Sequence, residues 1–379
     1  MIRDLLKKHR IAYGKSGNLY EHKGIKSLYA KSTILPAYIG ALGFKVTVNT
    51  AINFTEYAYG SSKLYSKPRD LAVETSSMCN HTCSQCIRYT EEYDNSNDGL
   101  MSYDDFIKIY AQFPIIEKLI LFGVGEPAMN KDLFKMINHA KARKHPPIVT
   151  INSNGLILSG KIFERFMESK EKPDELTISL DACTSETYRK VKITELDFNE
   201  ITSNIRKVTG ACSNDIEVYL SFVIMDQNYE EMPDFMRLAK KLGVQGVTFI
   251  ELYSTWIYEK NKHVKVRDVE KFKPVVAETK KLADELGINM TYKYVNSEVW
   301  GEEKCYNPCR FPWTYVYVTW DGFVQPCCFR TSHKEYNLGN LLKDDFRTLW
   351  NSVEYKNFRN IIKSGMLHNV CGDCFAKWD

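Results

Sequence analysis

Three cysteines, Cys79, Cys83 and Cys86, lie within eight positions in the stretch MCNHTCSQCIRY. Thiolates clustered in a short loop suit an iron–sulfur cluster, in which each iron takes one outer ligand. Three ligands for a 4Fe–4S cluster leave one iron open to another molecule, just as catalytic zinc keeps one position free. The alternative is a zinc site completed by His81 or by a distant residue.

The composition limits the kind of protein that could carry such a site. The chain has 379 residues, a net charge of +4 and eleven cysteines, an odd number without a secretory signal. Reduced, metal-binding or catalytic thiols are therefore favoured over a disulfide framework. The charge is dispersed, which gives no support to a nucleic-acid partner. The longest apolar run, 34–44, is too short to span a bilayer, so we expect a cytoplasmic protein without a transmembrane segment.

Short strand-like runs alternate with amphipathic helical segments from residue 71 onward. These runs cover 71–75, 118–123, 147–152, 175–181, 216–223 and 246–252. Such alternation is typical of repeated βα units around a parallel sheet. Six units are too few for a closed eight-unit barrel, so the sequence predicts an α/β fold with a partial, TIM-like (β/α)6 barrel. Its chemistry belongs at the carboxyl ends of the strands, and the three cysteines follow the first strand.

Composition and predicted secondary structure divide the chain into four parts. Residues 1–69 are rich in Lys, Tyr and Gly, and we interpret them as an extension or cap. A lid, a partner-binding segment or a segment lying on a membrane surface are alternatives. Residues 70–255 form the barrel core, 256–300 a helical connection, and 301–379 a small domain with six of the cysteines. An Asp-Gly pair in this last part predicts a hairpin.

Five stretches, in order, resemble the radical S-adenosylmethionine (radical SAM) enzymes over residues 70–255. CxxxCxxC after a first barrel strand is that family's motif, and FGVGEP, TINSNG, SLD and VIMDQN follow the next four strands. Taken singly, a Gly-Pro turn or a helix cap would explain two of these stretches. Gln85 departs from the family, which usually has an aromatic or large apolar residue before the third cysteine.

The resemblance implies that the open iron binds S-adenosylmethionine. The implied contacts are Gly125 and Glu126 at its amino group, Ser153 and Asn154 near its carboxylate or ribose, and Ser179 and Asp181 at its ribose. One electron, from a flavodoxin- or ferredoxin-type donor, would cleave the C5′–S bond and give a 5′-deoxyadenosyl radical. That radical would abstract a hydrogen atom from the substrate.

The last part of the chain resembles the SPASM/twitch extension of this family. It contains a cysteine, a hairpin with Asp-Gly, a Pro-Cys, an LGN stretch, an LW helix and a closing CxxC. The resemblance implies one auxiliary 4Fe–4S cluster, suited to electron transfer, with the ligands Cys309, Cys327, Cys371 and Cys374. Cys305 and Cys328 are spares or alternative ligands. A zinc site made by Cys305, Cys309, Cys371 and Cys374 is the alternative.

The sequence alone does not identify the substrate. We expect oxidation of a small hydroxylated or carbohydrate-like molecule, or of a peptide. Residues 1–70 do not resemble the winged-helix domain common in peptide-modifying relatives, which favours a small molecule. One alternative is a redox-neutral epimerase in which Cys183 or Cys212 returns a hydrogen atom. Another is a non-catalytic, zinc-bearing interaction protein.

Overall fold

A computed structural model describes residues 43–89, 93, 95–212, 215–251, 268–293, 309–328, 336–366 and 371. Several parts of the sequence predictions lie outside the described residues: residues 1–42 of the expected extension, much of the expected helical connection, Cys305 and Cys374. Within the described ranges, no helix has the length and apolar character needed to cross a bilayer.

The described strands form one sheet. They are β1 Asp70–Val73, β2 Lys118–Leu121, β3 Ile148–Ser153, β4 Glu175–Ser179, β5 Glu217–Ile224, β6 Gly246–Glu251, β7 Asn289–Lys293, β8 Tyr315–Val318 and β9 Val324–Gln325. Their order in the sheet is β7-β6-β5-β4-β3-β2-β1-β8-β9. Each neighbouring pair is parallel except the hairpin of β8 and β9. The six predicted strands are β1 to β6, so the α/β prediction is confirmed.

Helices cover one face of this sheet. They are α1 Phe44–Ala58, α2 Tyr103–Ala111, α3 Leu133–Lys141, α4 Gly160–Glu168, α5 Ser185–Lys192, α6 Phe198–Ala211, α7 Met232–Leu242, α8 Val269–Leu286, α9 Phe311–Thr314, α10 Phe346–Leu349 and α11 Val353–Lys363. Side chains with oxygen acceptors cap several amino termini, among them Ser102 at α2 and Asp197 at α6. Each cap satisfies a backbone N–H that the helix leaves unpaired.

The two faces of the sheet differ in polarity because strand residues alternate in direction. Leu176 and Ile178 of β4 are fully buried in the main core, with helix residues such as Phe235. Thr177 and Ser179 of the same strand point the other way and stay partly exposed. We call this second side, turned away from the helices, the inner face.

The C-terminal hairpin continues the barrel sheet. Gly322, in the predicted Asp-Gly turn, has a φ of 89°, which glycine adopts at no steric cost. β8 then pairs in parallel with β1, which places the hairpin directly beside the strand that precedes the three cysteines. Two indole N–H groups hold this part to the backbone of the chain before β1: Trp313 bonds to Ser61 and Trp350 to Ser66.

Candidate active site

The loop after β1 carries the three clustered thiols at the carboxyl edge of the sheet, as the strand pattern predicts. Cys79, Cys83 and Cys86 are all partly buried. Burial raises the pKa of each thiol, that of Cys83 to about 12. Such thiols stay protonated at neutral pH until a metal displaces the proton, because the thiolate is the form that binds metal. The donor set therefore fits a metal centre.

A single zinc ion and a 4Fe–4S cluster place different demands on these thiols. Among the described residues, no three His, Cys, Asp or Glu side chains converge as ligands of one metal ion. Structural zinc needs such convergence, whereas in a 4Fe–4S cluster each thiolate binds a different iron. His81, the fourth ligand of the zinc alternative, is buried with its ring edge-on to Tyr188, and burial lowers its pKa to about 3.

Gly125 allows two backbones to approach each other at this edge. The carbonyl of Met78 accepts a hydrogen bond from the Glu126 N–H at 2.8 Å. A Cβ on Gly125 would lie 2.3 Å from the Met78 oxygen and 2.5 Å from the carbonyl carbon of Ser77. Real Cβ atoms do not come so close to backbone, so this position accepts only glycine. The FGVGEP loop therefore packs directly against the cysteine loop.

Glu126 connects three of the predicted contact residues. Its buried carboxylate accepts hydrogen bonds from Ser153 Oγ at 2.8 Å and from the Asn154 N–H at 2.7 Å. Burial raises its pKa to about 7, against the opposing effect of these donors. The Asn154 side chain in turn donates to Cys79 Sγ at 3.6 Å. Glu126, Ser153 and Asn154 thus form one network that ends at the first cysteine.

A second group surrounds Cys83. Asp181 is fully buried, ion-paired with the Lys192 ammonium, and accepts a hydrogen bond from the Val223 N–H at 2.8 Å. Lys192 also donates to Ser179 Oγ at 3.0 Å, and its backbone carbonyl accepts from the Cys83 thiol at 3.5 Å. Burial disfavours the charged ammonium, but Asp181 outweighs this effect and holds the pKa of Lys192 above its ordinary value.

Sequence reasoning missed Lys192. It is the last residue of α5, where a lysine ordinarily reads as a solvated charge beside the helix carboxyl terminus. Its burial becomes visible only when the loops after β4 and α5 are brought together. The signal that could have found it is the preceding SLD motif, whose buried aspartate requires a cation.

Replacing Lys192 by methionine is expected to destabilise the fold by roughly 3–5 kcal/mol, because the change leaves the Asp181 charge buried without its partner. Urea unfolding of the cluster-free protein measures this free energy. Lys273→Met removes the cation from an exposed pair with Glu270 and should cost less than about 1 kcal/mol. Equal losses in the two variants would contradict the assigned importance of the buried pair.

Gln85 belongs to the cysteine loop and lies beside the loops after β4 and β5. Its side-chain amide donates to Asp181 at 3.5 Å, while its buried oxygen has no hydrogen-bond partner among the residues that the structure describes. Nearby, Gln227 donates to Ser84 Oγ at 3.5 Å and joins the VIMDQN loop to the cysteine loop. The polar residue at this unusual position therefore anchors to Asp181.

The two cysteines considered as hydrogen donors lie away from this site. The Cys183 thiol donates to the Glu231 carbonyl at 3.4 Å and lines a groove with Arg237 of α7 and Leu286 of α8. Cys212 follows α6, before β5 begins, at the opposite edge of the sheet from the cysteine loop. Both side chains pack against the main core, on the helix side of the sheet.

Three of the four cysteines expected at the auxiliary cluster belong to the described residues. Cys309, Cys327 and Cys371 are partly buried, and Cys309 and Cys371 pack against the main core. The fourth, Cys374, lies outside the described residues, as does Cys305. Cys328 packs on the inner face against Tyr315 and Tyr317 of β8.

Comparison with known families agrees with this geometry. Residues 73–239 match the model of the radical SAM superfamily, and residues 309–375 match the model of SPASM, an iron–sulfur cluster-binding domain. Among curated proteins, the tungsten-containing aldehyde ferredoxin oxidoreductase cofactor-modifying protein of Pyrococcus furiosus is 25% identical over 325 residues. That alignment covers 80% of this chain and 86% of the relative.

Solved structures share the fold at low sequence identity. SuiB of Streptococcus suis, bound to its precursor peptide SuiA, has a TM-score of 0.61 at 14% identity and covers 93% of this chain and 91% of its own. The native anSMEcpe structure with bound AdoMet has a TM-score of 0.57 at 16% identity and covers 81% of this chain and 86% of its own.

Proposed function

Because the chain belongs to the radical SAM superfamily and carries a SPASM domain, with S-adenosylmethionine and iron–sulfur clusters as cofactors, we propose that it catalyses an oxidation initiated by hydrogen-atom abstraction. The cluster supplies the electron that cleaves S-adenosylmethionine to a 5′-deoxyadenosyl radical. Cys79, Cys83 and Cys86 hold this cluster. Cys309, Cys327, Cys371 and Cys374 would hold the auxiliary cluster, which would supply a site for electron transfer in the oxidation.

The observation that carries the proposal is the convergence of three strand ends on the cysteine loop. Glu126 follows β2, Asn154 follows β3, and Asp181 follows β4, and each network ends beside a cysteine of the loop. Their polar groups give a zwitterionic molecule such as S-adenosylmethionine partners for both charges. Gly125 supports this arrangement, because its missing side chain lets the cysteine loop close on the first of these strand ends, that of β2.

The inner face supports a neutral, polar substrate. Asn152 is exposed there and pairs across the sheet with Thr177, one inner-face step before the proposed contacts Asn154 and Ser179. Further along, Ser221 pairs with Thr248. Amides and hydroxyls match the hydroxyl groups of a carbohydrate-like molecule and equally the backbone of a peptide. SuiB was solved with a peptide and the Pyrococcus relative is named for modifying a cofactor, so both substrate classes enter the test.

The reductant proposed for the enzyme is a flavodoxin- or ferredoxin-type protein, and the proposed location is the cytoplasm. The thiols of the first cluster are partly buried in a surface loop, which keeps the centre within reach of a docked protein donor. An artificial reductant can replace that donor in a first test.

The direct test is anaerobic incubation of the reconstituted enzyme with dithionite and S-adenosylmethionine. We expect 5′-deoxyadenosine to form, as measured by chromatography and mass spectrometry, and Cys86→Ala to abolish it. With substrate, one 5′-deoxyadenosine should accompany each two-electron-oxidised product. Solvent deuterium in an isomeric product would instead show a redox-neutral epimerase, and a colourless, zinc-only protein would exclude radical chemistry.

A further inference from the structure

Glu74 is a buried carboxyl group that the proposed chemistry does not use. It follows β1 directly, is 3% exposed, and shares the inner face with Ala72, Tyr315 and Tyr317. Within the described part of the chain, its hydrogen-bond partners are three neutral donors: the Val124 N–H at 2.9 Å, the Tyr317 hydroxyl at 3.1 Å and the Trp320 N–H at 3.3 Å. These partners can stabilise a carboxylate, but none of them neutralises its charge.

The partners of Glu74 come from both sides of the junction between the barrel and the SPASM hairpin. Val124 precedes Gly125, which touches the backbone of the cysteine loop. Tyr317 packs against Cys328, the neighbour of the proposed auxiliary ligand Cys327. The carboxyl group thus lies between the loop of the first cluster and the hairpin that carries the auxiliary cluster.

The proton affinity of such a carboxyl group depends on the charge of a neighbouring cluster through electrostatic interaction. Burial raises the pKa of Glu74 to about 7, the three donors oppose this, and Asp321 in the hairpin turn raises it further. Among the described residues, the other titratable groups that face it are Tyr317 and Tyr93, whose pKa values are raised and which stay neutral. A carboxyl poised near neutrality binds a proton more tightly when negative charge arrives nearby.

We propose that Glu74 takes up a proton when the auxiliary cluster is reduced, so that electron transfer to the SPASM domain is coupled to proton transfer. This inference rests on the proposed function, because it requires the auxiliary cluster. The balance is one electron added to the cluster and one proton, drawn from solvent or from the substrate, added to the Glu74 carboxylate. Oxidation of a hydroxylated carbon radical releases one electron and one proton, which this pair of acceptors would receive.

The test measures a reduction potential and needs no substrate. Full-length protein with Cys79, Cys83 and Cys86 replaced by alanine should retain the auxiliary cluster alone. Its midpoint potential is measured by dye-mediated titration with EPR detection between about pH 6 and 9. We expect the midpoint potential to fall as pH rises. At its steepest, the equilibrium constant for reduction should change tenfold per pH unit, which corresponds to about 59 mV for one electron. Glu74→Gln in the same background should give a flat profile.

Two further variants separate proton coupling from a structural role. Tyr317→Phe removes a donor that stabilises the carboxylate, so the pH-dependent region should move to higher pH while its slope remains. Glu270→Gln removes an exposed carboxylate on α8 and should leave the profile unchanged. A cluster whose potential does not depend on pH with Glu74 present, or whose slope survives Glu74→Gln, overturns the inference. Loss of all iron from the triple-cysteine variant overturns the proposed auxiliary site itself, and the inference with it.

Discussion

Replacing Cys79, Cys83 and Cys86 together by alanine is expected to halve the iron content of the anaerobically reconstituted protein, from about eight to about four atoms per chain. The reason is that the three thiols are the proposed ligands of one cubane and the SPASM cysteines are the proposed ligands of another. Formation of 5′-deoxyadenosine should fall below detection, because the iron that binds S-adenosylmethionine is lost with the first cluster. Iron and sulfide assays on the purified variant give the first result, and product analysis gives the second.

A matched cysteine change controls for the loss of thiols as such. Cys212→Ala removes a partly buried thiol at the end of α6, far from the cysteine loop, and should leave about eight irons and full cleavage. The reciprocal double variant of Cys309 and Cys327 should retain the first cluster and lose the second. Iron that stays at eight in the triple variant would contradict the ligand assignment, and iron that falls to zero would overturn the proposed auxiliary site.

The sequence predicted the sheet from features that are local in the chain. Runs such as 216–223 are long, apolar and bounded by turn residues, so their strand character survives any tertiary context. β7 escaped prediction because its sequence, NMTYK, is short and half polar, as suits an edge strand whose single partner among the described strands is β6. The pairing of β8 with β1 also escaped, because it joins segments more than 240 residues apart and no periodicity encodes it.

In the candidate site too, the sequence predicted the local features and missed those that depend on tertiary contacts. The motifs located Gly125, Glu126 and Asn154 at strand ends, and the structure brings them together. Sequence did not indicate that the Glu126 carboxylate would be occupied by neighbouring donors, because that depends on the distance between β2 and β3. Buried partners such as Lys192 and Glu74 were invisible for a related reason: in a sequence, a charged residue near an element's end reads as solvent-exposed.

Gly125→Ala is expected to displace the cysteine loop and to remove the first cluster while every cysteine is retained. The added Cβ would meet three backbone atoms within 2.6 Å, those of Met78, Ser77 and Ser76, and no side chain could rotate to relieve the contact. Overpacking against backbone should cost about 3 kcal/mol, the upper end of the usual range. Chemical unfolding of the cluster-free protein measures this loss, and iron content after reconstitution should fall towards about four atoms.

Gly210→Ala is the matched control. Gly210 lies in α6, and beyond the helix's own backbone and the adjacent residues an alanine methyl group there would meet no described atom within 4 Å. The change should therefore stabilise that helix by up to about 1 kcal/mol and leave the iron content unchanged. The pair of variants separates the general effect of removing a glycine from the specific closeness of two loops. The contradictory result is a Gly125→Ala protein that keeps all its iron and its stability. The two loops would then have to be further apart than the 2.3 Å between an added Cβ and the Met78 oxygen implies. That result would rule out the contact that places Glu126 beside the cysteines.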